Sequence, residues 1–219
     1  MVDTKPLFGY WSHRGLGNFG RLTLAATGVD FEEKRYENKE AWFEEEKKNL
    51  DHLMPSIPYL TFDGVTITEN DSICRVVADR YKPELLGTSA TEKALVENYF
   101  CAMSKLNPKI RALSFKNPIA TDDERKETAN HGKVFFDAVE KRLAENKWIV
   151  SAGQSIADIY FWELVEAFAV LWAPFVDSYD NIKRFRGDFE KEQWFDDFKA
   201  SGRFVEKPMY PASATLNNI

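Results

Sequence analysis

The chain has 219 residues, 44% hydrophobic and 14% aromatic, enough to bury one large core or two small ones and too apolar for a disordered chain. Its 35 acidic and 29 basic residues leave a formal net charge of -6, which repels nucleic acid and anionic membrane alike. Only Cys74 and Cys101 occur, so there is no disulfide framework, redox pair or zinc-ligand spacing, and a reduced, cytoplasmic setting is expected for a chain with no apolar leader in "MVDTKPLFGY" and no run of the ~18 to 20 apolar residues that cross a bilayer.

"PLFGYW" reads as a short strand. "RGLGNFGRLTLAATG" then spaces Leu16, Phe19, Leu22, Leu24 and Ala25 roughly as a helix does and ends on Gly28, a C-terminal cap. "VDFEEKRY" alternates raggedly and is taken as a second strand, completing a βαβ unit. "NKEAWFEEEKKNL" is a polar, helical connection, and "SIPYLTFDGVTITEN" sets Asp63-Gly64 between two β-branched and aromatic runs, a hairpin signal. In "NDSICRVVADRY" the residues Ile73, Val76, Val77 and Tyr81 share one face of a helix, capped by Asn70 or Asp71 and stopped before Pro83. The order β-α-β-α-β-β-α is complete at Tyr81.

"KPELLGTSATE" has linker composition, with Ser89 or Thr91 as a cap for the next helix. Beyond it only helical patterns occur, in "ALVENYFCAMSKLN", "ERKETANHGKVFFDAVEKRLAEN", "SIADIYFWELVEAFAVLWA" and "FEKEQWFDDFKAS". The expectation is an α/β domain over residues 1–82, a linker at 83–91 and an all-helical domain over 92–219. Within "GQSIADIYFWELV", Ser155 and Asp158 have the spacing of a capping box before a helix that is apolar nearly all round, which makes them a folding motif at the centre of the second domain.

"GYWSHRGLGNFGRL", "SIPYLTFDGVTITEND" and "GQSIADIYFW", in that order, resemble the cytosolic glutathione transferases. "GYW" followed by "RGL", and "SGRF" near the C-terminus, resemble the Mu class in particular, with Sigma as second choice. The resemblance implies a thioredoxin-like first domain, an all-helical second domain, a homodimer, glutathione as co-substrate, no metal, and small hydrophobic electrophiles as second substrates. It implies that Tyr10 donates its hydroxyl hydrogen bond to the glutathione sulfur. A free thiol, with a pKa of ~8.5, is only a few per cent thiolate at neutral pH, and the thiolate is the nucleophile. Without the resemblance, Tyr10 reads as a strand aromatic; Ser12 is a rival hydroxyl, and His13 reads as a solvated turn residue.

The resemblance further assigns Trp11, Lys39, Trp42 and Lys47 to the glycine end of glutathione. It assigns Ile57 beside a cis Pro58 to its cysteinyl backbone and Glu69 and Asn70 to its γ-glutamyl end, and counts Ser56 among the glutathione-binding residues. Leu16, Phe115 and Tyr210 fall to the hydrophobic substrate pocket. The chain departs from the Mu pattern at Ser12, at Asn70, at Ala102 and at Met54, which stands where the class carries an aromatic key into the partner subunit. A non-catalytic, crystallin-like protein on this scaffold and a Sigma-type isomerase are the other functions the same features allow.

Overall fold

The computed structural model describes residues 5–150 and 153–218. Residues 1–4, part of the stretch read as lacking a leader, lie outside them. β1 (Leu7–Trp11), α1 (Gly17–Thr27) and β2 (Glu32–Tyr36) form the expected βαβ unit, with β1 and β2 parallel and Tyr10 opposite Arg35. The polar connection is a π-helical turn, Ala41–Glu46, that runs into α2 (Lys47–Asn49). β3 (Tyr59–Phe62) and β4 (Val65–Thr68) pair antiparallel through the Asp63-Gly64 turn, and β3 adds to β1, giving the mixed sheet β2-β1-β3-β4. α3 (Asn70–Tyr81) spans the expected residues. Its cap does not: Asn70 is the first helical residue, and Glu69 occupies the capping position without a side-chain cap, at φ 68°.

A 3-10 turn, Pro83–Leu86, leads to α4 (Ala90–Ser104), which Ser89 caps in a capping box with Glu92. The rest is helical: α5 (Asn107–Ser114), α6 (Asp122–Asn130), α7 (Lys133–Glu145), α8 (Ile156–Asp177), α9 (Asp180–Phe189) and α10 (Gln193–Ala200). The stretch around His131 that reads as one helix is two, α6 and α7, and α5 and α9 add to the segments read as helical. α8 kinks at Trp172, two residues before Pro174, whose ring and missing N–H disrupt the turn that precedes it.

The Ser155–Asp158 capping box forms as expected. The Ser155 N–H and hydroxyl donate to Asp158 Oδ2 at 2.8 and 2.6 Å, and the Ile149 N–H donates to Oδ1 at 2.8 Å. α8 is apolar and long enough to cross a membrane by composition, but 67% of that stretch is buried and it forms the centre of the core. One hydrophobic core runs through both halves of the molecule: Phe19 of α1 stacks on Tyr160 of α8 at 4.0 Å.

Candidate active site

β1 ends by aiming Tyr10 across the start of α1. The Tyr10 ring is buried (6% exposed), and its hydroxyl oxygen accepts the Leu16 N–H at 3.1 Å. The approach depends on two glycines. A Cβ on Gly17 would stand 2.2 Å from Cδ1 of the Tyr10 ring, and Gly15, at φ +43°, holds a left-handed turn directly beneath the hydroxyl. Burial raises the Tyr10 pKa, against the Arg21 charge and the Leu16 N–H, so the phenol keeps its proton. An oxygen that already accepts a backbone N–H and retains its own hydrogen is a donor available to an anion.

Arg21 organises this turn from below. It is fully buried, lies 5.5 Å from the Tyr10 ring centroid and pairs with Glu33. It also donates to the carbonyls of Trp11, His13 and Arg14 at 2.6, 3.0 and 3.3 Å. The C-terminal segment closes over the same turn, with Arg14 N–H donating to the Pro208 carbonyl at 3.0 Å and Gly15 N–H to the Met209 carbonyl at 2.8 Å. Thr215 then ties that segment to the end of α5 through the Ser114 and Lys116 carbonyls.

Two cavities meet at Leu16. The larger, about 790 Å³, holds Tyr10, Trp11, Lys39, Leu16, Phe115 and Tyr210 of the expected site, together with Ser12 and His13. The second, about 650 Å³, holds Ser56, Ile57, Pro58, Glu69 and Asn70. The Ile57-Pro58 bond is cis, as expected. Both atoms of the Asn70 amide are buried without a hydrogen-bond partner, at a helix N-terminus preceded by a strained residue. Such an amide fits a ligand with both donor and acceptor groups, as the γ-glutamyl end of glutathione has.

Two expected residues are not brought to these cavities. Trp42 is 2% exposed and sits in a small aromatic core, edge-on to Tyr36 and stacked on Tyr59, so its ring supports the π-helical turn from inside. Lys47 lies over the Phe43 ring at 5.4 Å and lines neither cavity. His13, read as a solvated turn residue, is half-buried on the wall of the larger cavity, its ring edge-on to Tyr10 with centroids 5.7 Å apart. Burial, with the Arg21 and Arg111 charges, pushes its pKa down to about 4, so it is neutral at physiological pH. Ser12, the rival hydroxyl, is engaged elsewhere, donating to the Glu37 carboxylate at 2.7 Å.

Sequence reasoning passes over Arg14, Arg21, Arg111 and Glu163. Arg14 and Glu163 form a buried pair at 2.8 Å beneath the larger cavity; the Asn18 amide donates to the same carboxylate at 2.7 Å, and the Arg14 guanidinium lies 5.1 Å from the Trp162 ring centroid. Burial raises the Glu163 pKa and the Arg14 charge opposes it. A signal for Glu163 was present, since an acid inside the apolar run "IYFWELVEAF" needs a partner. Arg111 carries no such mark, because a basic residue on a polar helix reads as solvated.

The N-terminal domain model of glutathione S-transferases matches residues 6–79, and a C-terminal domain model of the same family matches residues 107–202. Among curated proteins the chain is 28% identical to glutathione S-transferase Mu 4 of Mus musculus over 221 residues, covering 96% of this chain and 97% of that one. It is 26% identical to a glutathione S-transferase of Tyrophagus putrescentiae over 84% of each chain. The fold superposes on monomeric Na-GST-3 of the hookworm Necator americanus with a TM-score of 0.80 at 19% identity, covering 93% of this chain and all of that one. With both family domains matched in order, a thioredoxin-like half followed by a helical half, and Mu-class enzymes prominent among its relatives, the chain belongs to the glutathione S-transferase family and is a transferase enzyme.

Proposed function

We propose that the protein conjugates the glutathione thiolate to hydrophobic electrophiles, with Tyr10 donating its hydroxyl hydrogen to the sulfur. The observation that carries this reading is the Tyr10 hydroxyl: buried, fixed by the Leu16 N–H and left with its own proton at the cavity edge. A charge-accepting hydrogen bond, together with the positive end of α1, suffices to lower a thiol pKa by about 2 units, or roughly 2.7 kcal/mol. Glutathione takes its cysteinyl backbone from Ile57 beside the cis Pro58, its γ-glutamyl end from Glu69 and Asn70, and its glycine carboxylate from the Lys39 side. No covalent enzyme intermediate is formed; the sulfur attacks the electrophile directly. Residues 1–82 bind glutathione, and residues 92–219 supply most of the hydrophobic pocket.

The assembly we assign is a cytoplasmic homodimer. The neighbouring Leu53 and Met54 are 93% and 69% exposed, and a cleft of about 510 Å³ between α3 and α4 has Phe62, Val76, Leu86 and Val96 in its lining.

The test is the ultraviolet difference spectrum of bound glutathione against pH. Wild type and Ser12→Ala are expected to form thiolate near neutrality, and Tyr10→Phe to require about 2 pH units more. Loss in Ser12→Ala alone would move the chemistry to the serine. An unshifted thiol in wild type would leave a non-catalytic binding protein.

A further inference from the structure

Four residues line both cavities: Leu16, Asn107, Arg111 and Phe115. Arg111 is the one charged group among them, so a single cation stands where the glutathione sulfur and the second substrate must meet. Among the described residues it forms no hydrogen bond or ion pair, and it is exposed on α5. The two arginines buried beneath the Tyr10 turn, by contrast, are each paired, Arg14 with Glu163 and Arg21 with Glu33. Its charge reaches both Tyr10 and His13 and biases each towards the less protonated form. Phe115, four residues further on and just past the end of α5, offers no donor.

Besides Lys39, and Glu37 and Glu163, which are held by Ser12 and by Arg14 with Asn18, the rest of the larger cavity's wall is apolar or neutral. Leu16, Phe19, Ala167 and Met209 give a hydrocarbon surface, and His13 presents an imidazole whose side chain has no hydrogen bond among the described residues. His13 Nε2 and the Tyr10 hydroxyl flank one point above Gly15, at 3.0 and 2.9 Å from where a Cβ would stand. An electrophile lying on the apolar wall would therefore have the thiolate and the neutral His13 imidazole at the Tyr10 end, and the Arg111 cation at the junction of the two cavities.

We propose that Arg111 is a specificity-determining residue for conjugated aldehydes and ketones, stabilising the negative charge that builds on their carbonyl oxygen during attack. The inference rests on the conjugation reading above. In the step, the thiolate sulfur forms a bond to the β-carbon while the carbon–carbon π pair moves to place an enolate charge on oxygen. The α-carbon then takes a proton from water, and no group leaves. The ground-state carbonyl is neutral, so a cation at its oxygen acts mainly as the charge develops, which favours the transition state over the bound substrate. A benzyl halide differs in this respect, since its charge leaves with the halide and no oxygen gathers it.

The experiment compares kcat/KM for a nine-carbon 2-enal and for benzyl chloride, in wild type, Arg111→Leu and Arg111→Lys, alongside the thiolate spectrum of each. Because the Arg111 side chain is exposed and forms no pair among the described residues, the variants are expected to fold. The ratio of enal to benzyl chloride turnover should fall at least tenfold in Arg111→Leu, about 1.4 kcal/mol of transition-state stabilisation, with the loss in kcat rather than KM and part of it restored in Arg111→Lys. An unchanged ratio overturns the proposal, whether both substrates lose equally or neither does. Absence of a glutathione thiolate in wild type would instead remove the conjugation reading on which this rests.

Discussion

Gly17 shows how narrowly the Tyr10 position is defined. Replacing a helical glycine by alanine ordinarily stabilises by about 0.5–1 kcal/mol, because alanine is the better helix former. At Gly17 the new methyl group would lie 2.2 Å from a buried aromatic carbon that has no room to withdraw. We expect Gly17→Ala to destabilise by about 1–3 kcal/mol and to lose the neutral-pH thiolate signal together with Tyr10→Phe. Gly187, inside α9 with nothing within 4 Å of its would-be Cβ, is the control and should gain stability. Thermal unfolding of the two variants separates a steric clamp from a general intolerance of alanine. At this scale the sequence was informative about which residue mattered and silent about what held it. "GYW" points to Tyr10, but nothing in the spacing says that Arg21, eleven residues on, gathers three carbonyls beneath it.

Among the elements, α8 carries the strongest pH signature. Its first turn buries Asp158 completely, and although three donors favour the ionised form, burial pushes the pKa up to about 6 from the ordinary 3.8. The sign comes from proton binding. Between those two values the folded state holds a proton that the unfolded state has released, so this carboxyl adds stability at low pH and loses it as pH rises towards 6, with no further change above. Asp158→Asn has no such titration and also loses an acceptor. Its deficit in unfolding free energy relative to wild type is therefore expected to widen by on the order of 1 kcal/mol between pH 7 and pH 5, measured by urea titration at each pH. The Ser155–Asp158 box was legible from four letters because capping is local chemistry. The division of α6 from α7 and the cap of α3 were not. Asn70 has the right side chain for a cap, yet the chain places it one residue inside the helix and leaves its amide unpaired. Trp42 and Lys47 show the same limit: spacing brings them near the site, but the π-helical turn directs Trp42 into the packing between Tyr36 and Tyr59 and sets Lys47 over Phe43.

For the whole molecule, the proposed dimer makes a concrete demand. A methionine that is 69% exposed beside a leucine that is 93% exposed is poorly placed on a lone protomer. Sedimentation velocity of wild type should give a dimer, and Met54→Glu should shift the mass towards the monomer; a wild-type monomer at micromolar concentration would count against the assignment. The fold class was legible from hydrophobic periodicity in each half, because strand and helix periods differ and strand patterns stop at the linker. What joins the halves was not, since long-range pairs such as Arg14 with Glu163 leave no local pattern. That pair has a consequence for how this scaffold acquires new substrates. The floor of the larger cavity is a charged bolt through the core, and removing either partner alone would strand a buried ion at a cost of about 3–5 kcal/mol. The rim, by contrast, comprises exposed Arg111 and Phe115 and the strap at Pro208 to Ser213, held to the turn through backbone carbonyls that any residue supplies whatever its side chain. On the conjugation reading proposed above, substrate range can therefore change at the rim while the packing of the floor and of the Tyr10 turn is kept.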